Sequence, residues 1–226
     1  MKKIVLLDID DTILDFKACE RNAIIKTMEK YGIKATEELI NKYSVINKSL
    51  WEAFERKEIS KPELLVRRFE MFFNPLGVFT NADVINQDYL DLLSNEVFFV
   101  EGAVELCKKL KEICKVYVIT NAVKKTQEKR LNKSGLLEYF DDVFISEIIG
   151  YQKPDIRFFE YVYNSIGMPS KTEMIVLGDS KTSDIQGGIN FNITTCWFNK
   201  YNYDKHPEIK ADYEIKNLLD FLEIIK

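Results

Sequence analysis

Apolar residues follow two different rhythms along the chain. Short, largely unbroken runs occur at 4–7 (IVLL), 115–119 (KVYVI), 142–145 (DVFI), 174–177 (MIVL) and 193–198 (ITTCWF). Runs of this length suit strands buried on both faces of a parallel sheet. Between them the apolar positions take helical spacing, over 102–113, 123–134, 155–166 and about 182–190. Strand and helix therefore alternate, which implies βαβ units and a parallel sheet covered on both sides. The tail, 212–225, reads as one more short strand and a helix.

The stretch from 16 to 99 breaks this alternation directly after the first strand. It carries no strong strand signal and shows helical spacing almost throughout, as in Leu50, Trp51, Phe54 and then Leu64, Leu65, Phe69, Phe72, Phe73. The spacing predicts a helical insertion in an α/β core made of residues 1–15 and 100–226. The stripe of Trp51, Phe54, Phe69, Phe72 and Phe73 could stack a planar ligand, but such a stripe more often forms the core of its own helices. Arg67 and Arg68 read as a solvated face. No internal repeat, low-complexity tract or Gly/Ser linker divides the chain.

Composition narrows the function classes. With 226 residues and 46% hydrophobic positions, the chain can bury a sizeable core. Its net charge of −4 speaks against a nucleic-acid polymer or an anionic membrane as partner. An anionic small substrate stays open, since a metal and a few local cations can reverse the sign inside a cleft. No segment approaches the roughly 18 apolar residues of a membrane span. After Lys2 and Lys3 only Ile4 to Leu7 precede the first acids, too few for a signal-peptide core, so a cytoplasmic location is expected. The four cysteines, Cys19, Cys107, Cys114 and Cys196, follow neither a metal-knuckle nor a disulfide spacing and read as reduced, buried small hydrophobes. His206, the only histidine, lies in a polar loop before Pro207 and is given no role. The sequence sets no oligomeric state.

The candidate chemistry lies where strands stop. Asp8, Asp10 and Asp11 follow the first strand, and in an extended chain Asp8 and Asp10 point to one side. Neighbouring carboxylates repel, so a shared proton or a cation must offset them, and hard oxygen ligands suit Mg²⁺. Thr120-Asn121 follows the second strand, Lys153-Pro154-Asp155 follows the third, and Gly178-Asp179-Ser180, with Asp184 beyond, follows the fourth. Each has a plainer reading as a cap, a surface charge or a turn. In open α/β sheets, however, ligands bind beyond the carboxyl ends of strands, so these groups converge on one crevice. Together they fit phosphoryl transfer. A carboxylate nucleophile splits hydrolysis into two steps, and Mg²⁺ neutralises two anions that must meet. A hydroxyl, an amide and an ammonium hold the equatorial oxygens, and a second acid protonates the leaving alkoxide.

DIDDT at 8–12, Thr120-Asn121, Lys153-Pro154 and GDSKTSD at 178–184 resemble, in order and spacing, the haloacid dehalogenase superfamily of phosphatases. The resemblance covers essentially the whole chain. It implies a three-layer α/β/α, Rossmann-like core with an inserted helical cap, falling here on 16–99. It also implies Asp8 as nucleophile and Asp10 as general acid/base. Mg²⁺ would be held by Asp8, the backbone carbonyl of Asp10 and Asp179, with Asp184 in a water-mediated or supporting position. Thr120, Asn121 and Lys153 would bind the phosphoryl group. Asp11 is expected to face away from Asp8 in a structural role. Asp15-Phe16, Ser146-Glu147, and SDIQGGIN at 183–190 followed by CWFN at 196–199, resemble the pyrimidine nucleotidase branch, which hydrolyses nucleoside 5′-monophosphates. Asn190-Phe191-Asn192 departs from that branch, with an expected effect on packing only. A sugar-phosphate phosphatase or phosphomutase is the nearest alternative, and a dehalogenase would not need the second acid. A phospho-receiver module shares clustered acids, a Thr and a Lys-Pro, but it is about half as long and its phosphorylated Asp follows the third strand.

Overall fold

The computed structural model describes residues 3–203 and 206–226, so Lys2 lies outside the described residues. The chain divides into two compact units, one of Met1–Asp15 and Phe99–Lys226, the other of Phe16–Phe98. The first strand, β1 (Ile4–Leu7), is buried at all four positions, as an unbroken apolar run requires between two covered faces.

The unit after β1 holds four helices: α1 (Phe16–Lys30), α2 (Glu37–Glu55), α3 (Lys61–Phe73) and α4 (Ala82–Leu93). Their starts are written locally. Thr36, Ser60 and Asn81 each turn a side-chain oxygen onto a backbone N–H of the first turn, and Pro62 sits where no N–H is needed. One core gathers Cys19, Ile24 and Met28 of α1, Tyr43 of α2, Phe69, Phe72 and Phe73 of α3, and Ile85 and Tyr89 of α4. Phe54 packs in a smaller cluster with Leu50 and Leu64, and Trp51 lies partly buried against it. The aromatic stripe is thus core.

Arg68 corrects the expectation of a solvated face. Arg67 is exposed and pairs with Glu63, but Arg68 is only 2% exposed. Its guanidinium lies 4.8 Å from the ring centroids of both Phe69 and Tyr89. Nη1 donates to Asn47 Oδ1 at 3.0 Å and Nη2 to Asn86 Oδ1 at 2.8 Å. Asn47 Nδ2 in turn donates to buried Glu20 at 2.6 Å, and Ser44 Oγ to its other oxygen at 2.8 Å. A buried cation needs such partners, and the sequence places them 18 to 48 residues away.

The other unit continues with α5 (Ala103–Ile113), β2 (Lys115–Thr120), α6 (Lys124–Ser134), β3 (Asp142–Ile145), α7 (Ser146–Ile149), α8 (Ile156–Ser165), β4 (Met174–Gly178), a single π-turn (Lys181–Ile185), α9 (Gln186–Phe191), β5 (Thr194–Phe198), β6 (Tyr213–Ile215) and α10 (Phe221–Ile224). The strands form one parallel six-stranded sheet in the order β3-β2-β1-β4-β5-β6. On one face Leu6, Ile119 and Val176 pack with Phe158, Phe159 and Val162 of α8 and with Phe191. Phe191 is the departure noted in the sequence, and it serves packing: it stacks on Phe159 at 6.0 Å. All four cysteines are buried thiols. No helix among the described residues is long and apolar enough to cross a membrane.

The topology positions the site. The chain runs outward from β1 through β2 to β3, then jumps back to β4 on the other side of β1. Such a switch point opens a crevice at the carboxyl ends of the strands. Leu7 is in register with both Val118 and Leu177, so the residues after β1, β2 and β4 emerge side by side.

Candidate active site

Asp8 is the first residue beyond β1, tied to the next strand by its N–H on Leu177 O at 2.9 Å. The chain then turns sharply. The carbonyl of Ile9 accepts from the N–H groups of Thr12, Ile13 and Leu14, and Asp11 adopts a left-handed backbone with φ 62°. Asp is among the few L-residues that tolerate this conformation. The turn folds Thr12 back so that its hydroxyl donates to Asp8 Oδ2 at 3.0 Å.

Lys153 stands opposite and is 1% exposed. Its ammonium donates to Asp8 Oδ1 at 2.7 Å, Asp184 Oδ1 at 2.7 Å and Ile119 O at 3.0 Å, so all three of its hydrogens are engaged. Asn121 fixes the backbone behind it. Asn121 Nδ2 donates to Lys153 O at 3.0 Å, and Lys153 N–H donates to Asn121 Oδ1 at 3.0 Å. The Asn121 amide thus holds Lys153 in this structure, whereas the resemblance assigns it to the phosphoryl group. Thr120, 1% exposed, accepts on its hydroxyl from Ala122 N–H at 3.1 Å.

Asp179 and Asp184 come from the segment after β4. Asp184 crosses directly over Gly178, where a Cβ would lie 2.2 Å from Asp184 Oδ2; only glycine leaves that space. Ser180 N–H donates to the same oxygen at 3.1 Å. The indole N–H of Trp197 donates to the Asp179 carbonyl at 2.8 Å and so steadies that loop. Carboxylate oxygens of Asp8, Asp179 and Asp184 all lie within 4.8 Å of one another.

The electrostatics are lopsided. One ammonium faces three carboxylates. Burial pushes the Asp8 carboxyl up to about 7; Lys153 opposes the shift, and Asp184 and Asp10 add to it. Asp179 is also raised well above the carboxylate range, by desolvation first and then by Asp11, Asp8 and Asp184. Burial disfavours the Lys153 charge, but Asp184 and Asp8 outweigh it and raise its pKa. Hard oxygen donors with excess negative charge at a largely buried site match what a divalent cation such as Mg²⁺ needs. The Asp10 carboxylate is not among the three; it turns to Gln127 and Arg130 of α6. Asp11, expected to stand aside, is the charge that most raises Asp179 and so adds to this negative field.

A family model described as haloacid dehalogenase-like hydrolase matches residues 5–198, most of the chain and all of these groups. The chain belongs to that family. It is 36% identical over 223 residues to the HAD-hydrolase YfnB of Bacillus subtilis, covering 99% of this chain and 95% of that protein. The crystal structure of YfnB bound to magnesium superposes with a TM-score of 0.95, covering 100% of this chain and 99% of the other. The pyrimidine 5′-nucleotidase PynA of Streptococcus pneumoniae is 36% identical over 99% of this chain and 94% of its own. The pyrimidine 5′-nucleotidase YjjG of Escherichia coli is 28% identical over 98% and 96%. The family generally uses Mg²⁺, and this chain is accordingly a hydrolase with a buried acidic group suited to that ion.

Sequence reasoning put Asp8, Asp10, Thr120, Asn121, Lys153, Asp179 and Asp184 at strand ends. The structure brings Asp8, Lys153, Asp179 and Asp184 into one cluster, with Thr12. Sequence reasoning missed Gln127, Arg130 and Trp197. Helix α6 reads KKTQEKRLNKS, so strongly charged that Arg130 looks like one more solvated cation. No local signal marks it. The His206 side chain is 40% exposed and faces Glu208.

Proposed function

We propose that the chain is a Mg²⁺-dependent phosphomonoester hydrolase that works through an aspartyl phosphate on Asp8. Its proposed substrates are nucleoside 5′-monophosphates, with pyrimidines preferred. The observation that carries the phosphatase reading is Lys153, buried between Asp8 and Asp184 at a site with surplus negative charge. A buried cation there can meet a phosphoryl oxygen in the transition state. In the first step an Asp8 oxygen bonds to phosphorus while the bond to the leaving oxygen breaks, and Asp10 gives that oxygen its proton. In the second, Asp10 takes a proton from water as the water oxygen bonds to phosphorus, and the bond to Asp8 breaks, freeing phosphate. Thr120 and Lys153 hold phosphoryl oxygens, and Asn121 contributes by holding Lys153.

Asp8, the Asp10 carbonyl and Asp179 would hold the ion, with Asp184 beside them. Bound there, Mg²⁺ supplies the positive charge that lets a carboxylate and a phosphate dianion meet. Residues 16–98, placed directly after β1, are proposed as the cap that selects the substrate. The nucleotide reading rests on two relatives named pyrimidine 5′-nucleotidase that align over nearly the whole chain.

The test compares kcat/KM for UMP, dUMP, dTMP, AMP and several sugar phosphates with Mg²⁺ present. Pyrimidine nucleotides should lead, with similar bases separated by only about 1–3 kcal/mol. Sugar phosphates ahead by about tenfold or more would remove the nucleotidase reading and leave the phosphatase. Activity surviving exhaustive chelation would remove the metal.

A further inference from the structure

The Asp10 carboxylate does not hang free at the loop tip. Arg130 Nη1 donates to Asp10 Oδ1, and Gln127 Nε2 donates to Asp10 Oδ2 at 3.2 Å. Arg130 Nη1 also donates to Gln127 Oε1 at 3.0 Å, which closes a triangle of three side chains. Gln127 and Arg130 are one helical turn apart on α6, so both point to the same side. Arg130 is 1% exposed and Gln127 is fully buried, whereas the Asp10 side chain keeps 24% of its surface. Two donors from a packed helix thus grip the two oxygens of a carboxylate that sits on a loop.

Position explains why such a grip matters. A proton-transfer group works only within hydrogen-bond reach of the atom it serves, and misplacement by about 1 Å can cost on the order of 10²-fold. A carboxylate on a turn has a free rotation about its side chain. Binding one oxygen from each donor removes that rotation. Roughly four lone-pair sites are available on a carboxylate, and the two donors use two, leaving others for a substrate oxygen or water. A planar, permanently charged guanidinium held by packing, whose Nη1 serves both Asp10 and Gln127, suits this task better than a lysine.

We infer that Arg130 and Gln127 are positioning residues for the reaction: they aim the Asp10 carboxylate at the leaving oxygen and then at water. This rests on the proposed role of Asp10 as general acid/base. It predicts that losing the clamp hurts substrates according to how much they need a proton. A nucleotide leaves as a poor alkoxide and needs one; 4-nitrophenyl phosphate leaves as a stabilised phenolate and does not.

The experiment measures kcat/KM, which reports through the first phosphoryl transfer, for UMP and 4-nitrophenyl phosphate with Mg²⁺. The enzymes are the parent, Asp10→Asn, Arg130→Met, Gln127→Met and the double variant Asp10→Asn/Arg130→Met, each checked by thermal melting. Arg130→Met should lose about 10²-fold on UMP and less than about threefold on 4-nitrophenyl phosphate. Gln127→Met should show the same split at smaller size, and it carries the test if Arg130→Met does not fold. Adding Arg130→Met to Asp10→Asn should cost nothing further on UMP. Equal losses on both substrates for the two clamp variants, or additive losses in the double variant, would overturn the inference. If Asp10→Asn itself loses equally on both substrates, the acid/base reading fails and the inference with it. If only Asp10→Asn shows the split, the inference alone fails.

Discussion

The helical insertion and the strand-end crevice both bury charge, and they treat it in opposite ways. In the insertion Arg68 and Glu20 are joined through Asn47, with Asn86 and Ser44 taking further hydrogen bonds and two aromatic rings covering the guanidinium. A buried cation and a buried anion there share a neutral partner, so the charge of each is met within the network. At the crevice a single ammonium meets Asp8 and Asp184, with Asp179 close by. Negative charge exceeds positive there, and burial makes the excess expensive. A balanced buried network serves the fold. An unbalanced one stores a demand for something that arrives later, a cation or a phosphoryl group.

The sharpest way to break this contrast is Asp8→Asn. Turnover should fall on the order of 10⁴-fold or more, since the amide is a far poorer nucleophile. The melting temperature of the metal-free protein at pH 8 should hold or rise, because the change removes one of the surplus charges. Near-normal turnover would end the covalent reading; a large drop in melting temperature would end the surplus-charge reading. Next in size is the pair Lys153→Ala and Lys181→Ala. Lys153→Ala should cost about 3 kcal/mol, or about 10²-fold, in kcat/KM. Lys181 lies over the Trp197 ring at 4.1 Å and donates to His206 O at 3.2 Å, so its loss should matter far less. Equal losses would refute the assignment of Lys153.

These two regions also differ in how far the sequence discloses them. The sheet was legible because buried parallel strands need unbroken apolar runs, and β1 and β3 fall where the runs predict. The candidate site was legible for the same reason: parallel strands bring their carboxyl ends together, so acids and a lysine after successive strands must gather. The end of β4 was less clear, since Lys181–Ile185 forms a π-turn before α9 begins. The polar groups on helices were not legible. Arg68 follows Arg67 in a charged stretch, and only the tertiary packing of α3 against α2 and α4 turns one inward and the other outward. Arg130 and Gln127 meet Asp10 across more than 110 residues, a pairing that no local pattern encodes.

Arg68→Met tests the balanced side of the contrast. The methionine keeps most of the apolar stem but strands buried Asn47 Oδ1 and takes a donor from half-buried Asn86 Oδ1. An unsatisfied buried acceptor costs about 1–3 kcal/mol and a half-buried one less, so a loss of about 1–4 kcal/mol, on the order of 3–15 °C in melting temperature, is expected. Calorimetry checks it. A change under about 1 °C would mean that the network is ornamental to stability.

The smallest effect tests the unbalanced side. Asp8, raised to about 7 in the folded protein from a reference of 3.8, keeps a proton that the unfolded chain has already lost between those values. Asp179 shifts in the same direction. The folded state therefore binds more protons in that window, and stability of the metal-free protein falls as pH rises through it. Lys153, raised further from an already high value, stays charged throughout and adds no slope there. Mg²⁺ competes with those protons, so it should bind better at pH 8 than at pH 5.5. At ten times its dissociation constant an ion adds about 1.4 kcal/mol, which is about 3–5 °C for a chain of this size. Melting curves at the two pH values, each with and without Mg²⁺, give the answer. The metal-free melting temperature should be lower at pH 8, and the gain on adding Mg²⁺ should be larger there. A gain equal or greater at pH 5.5 would show that the carboxylates near Asp8 are not where the ion binds.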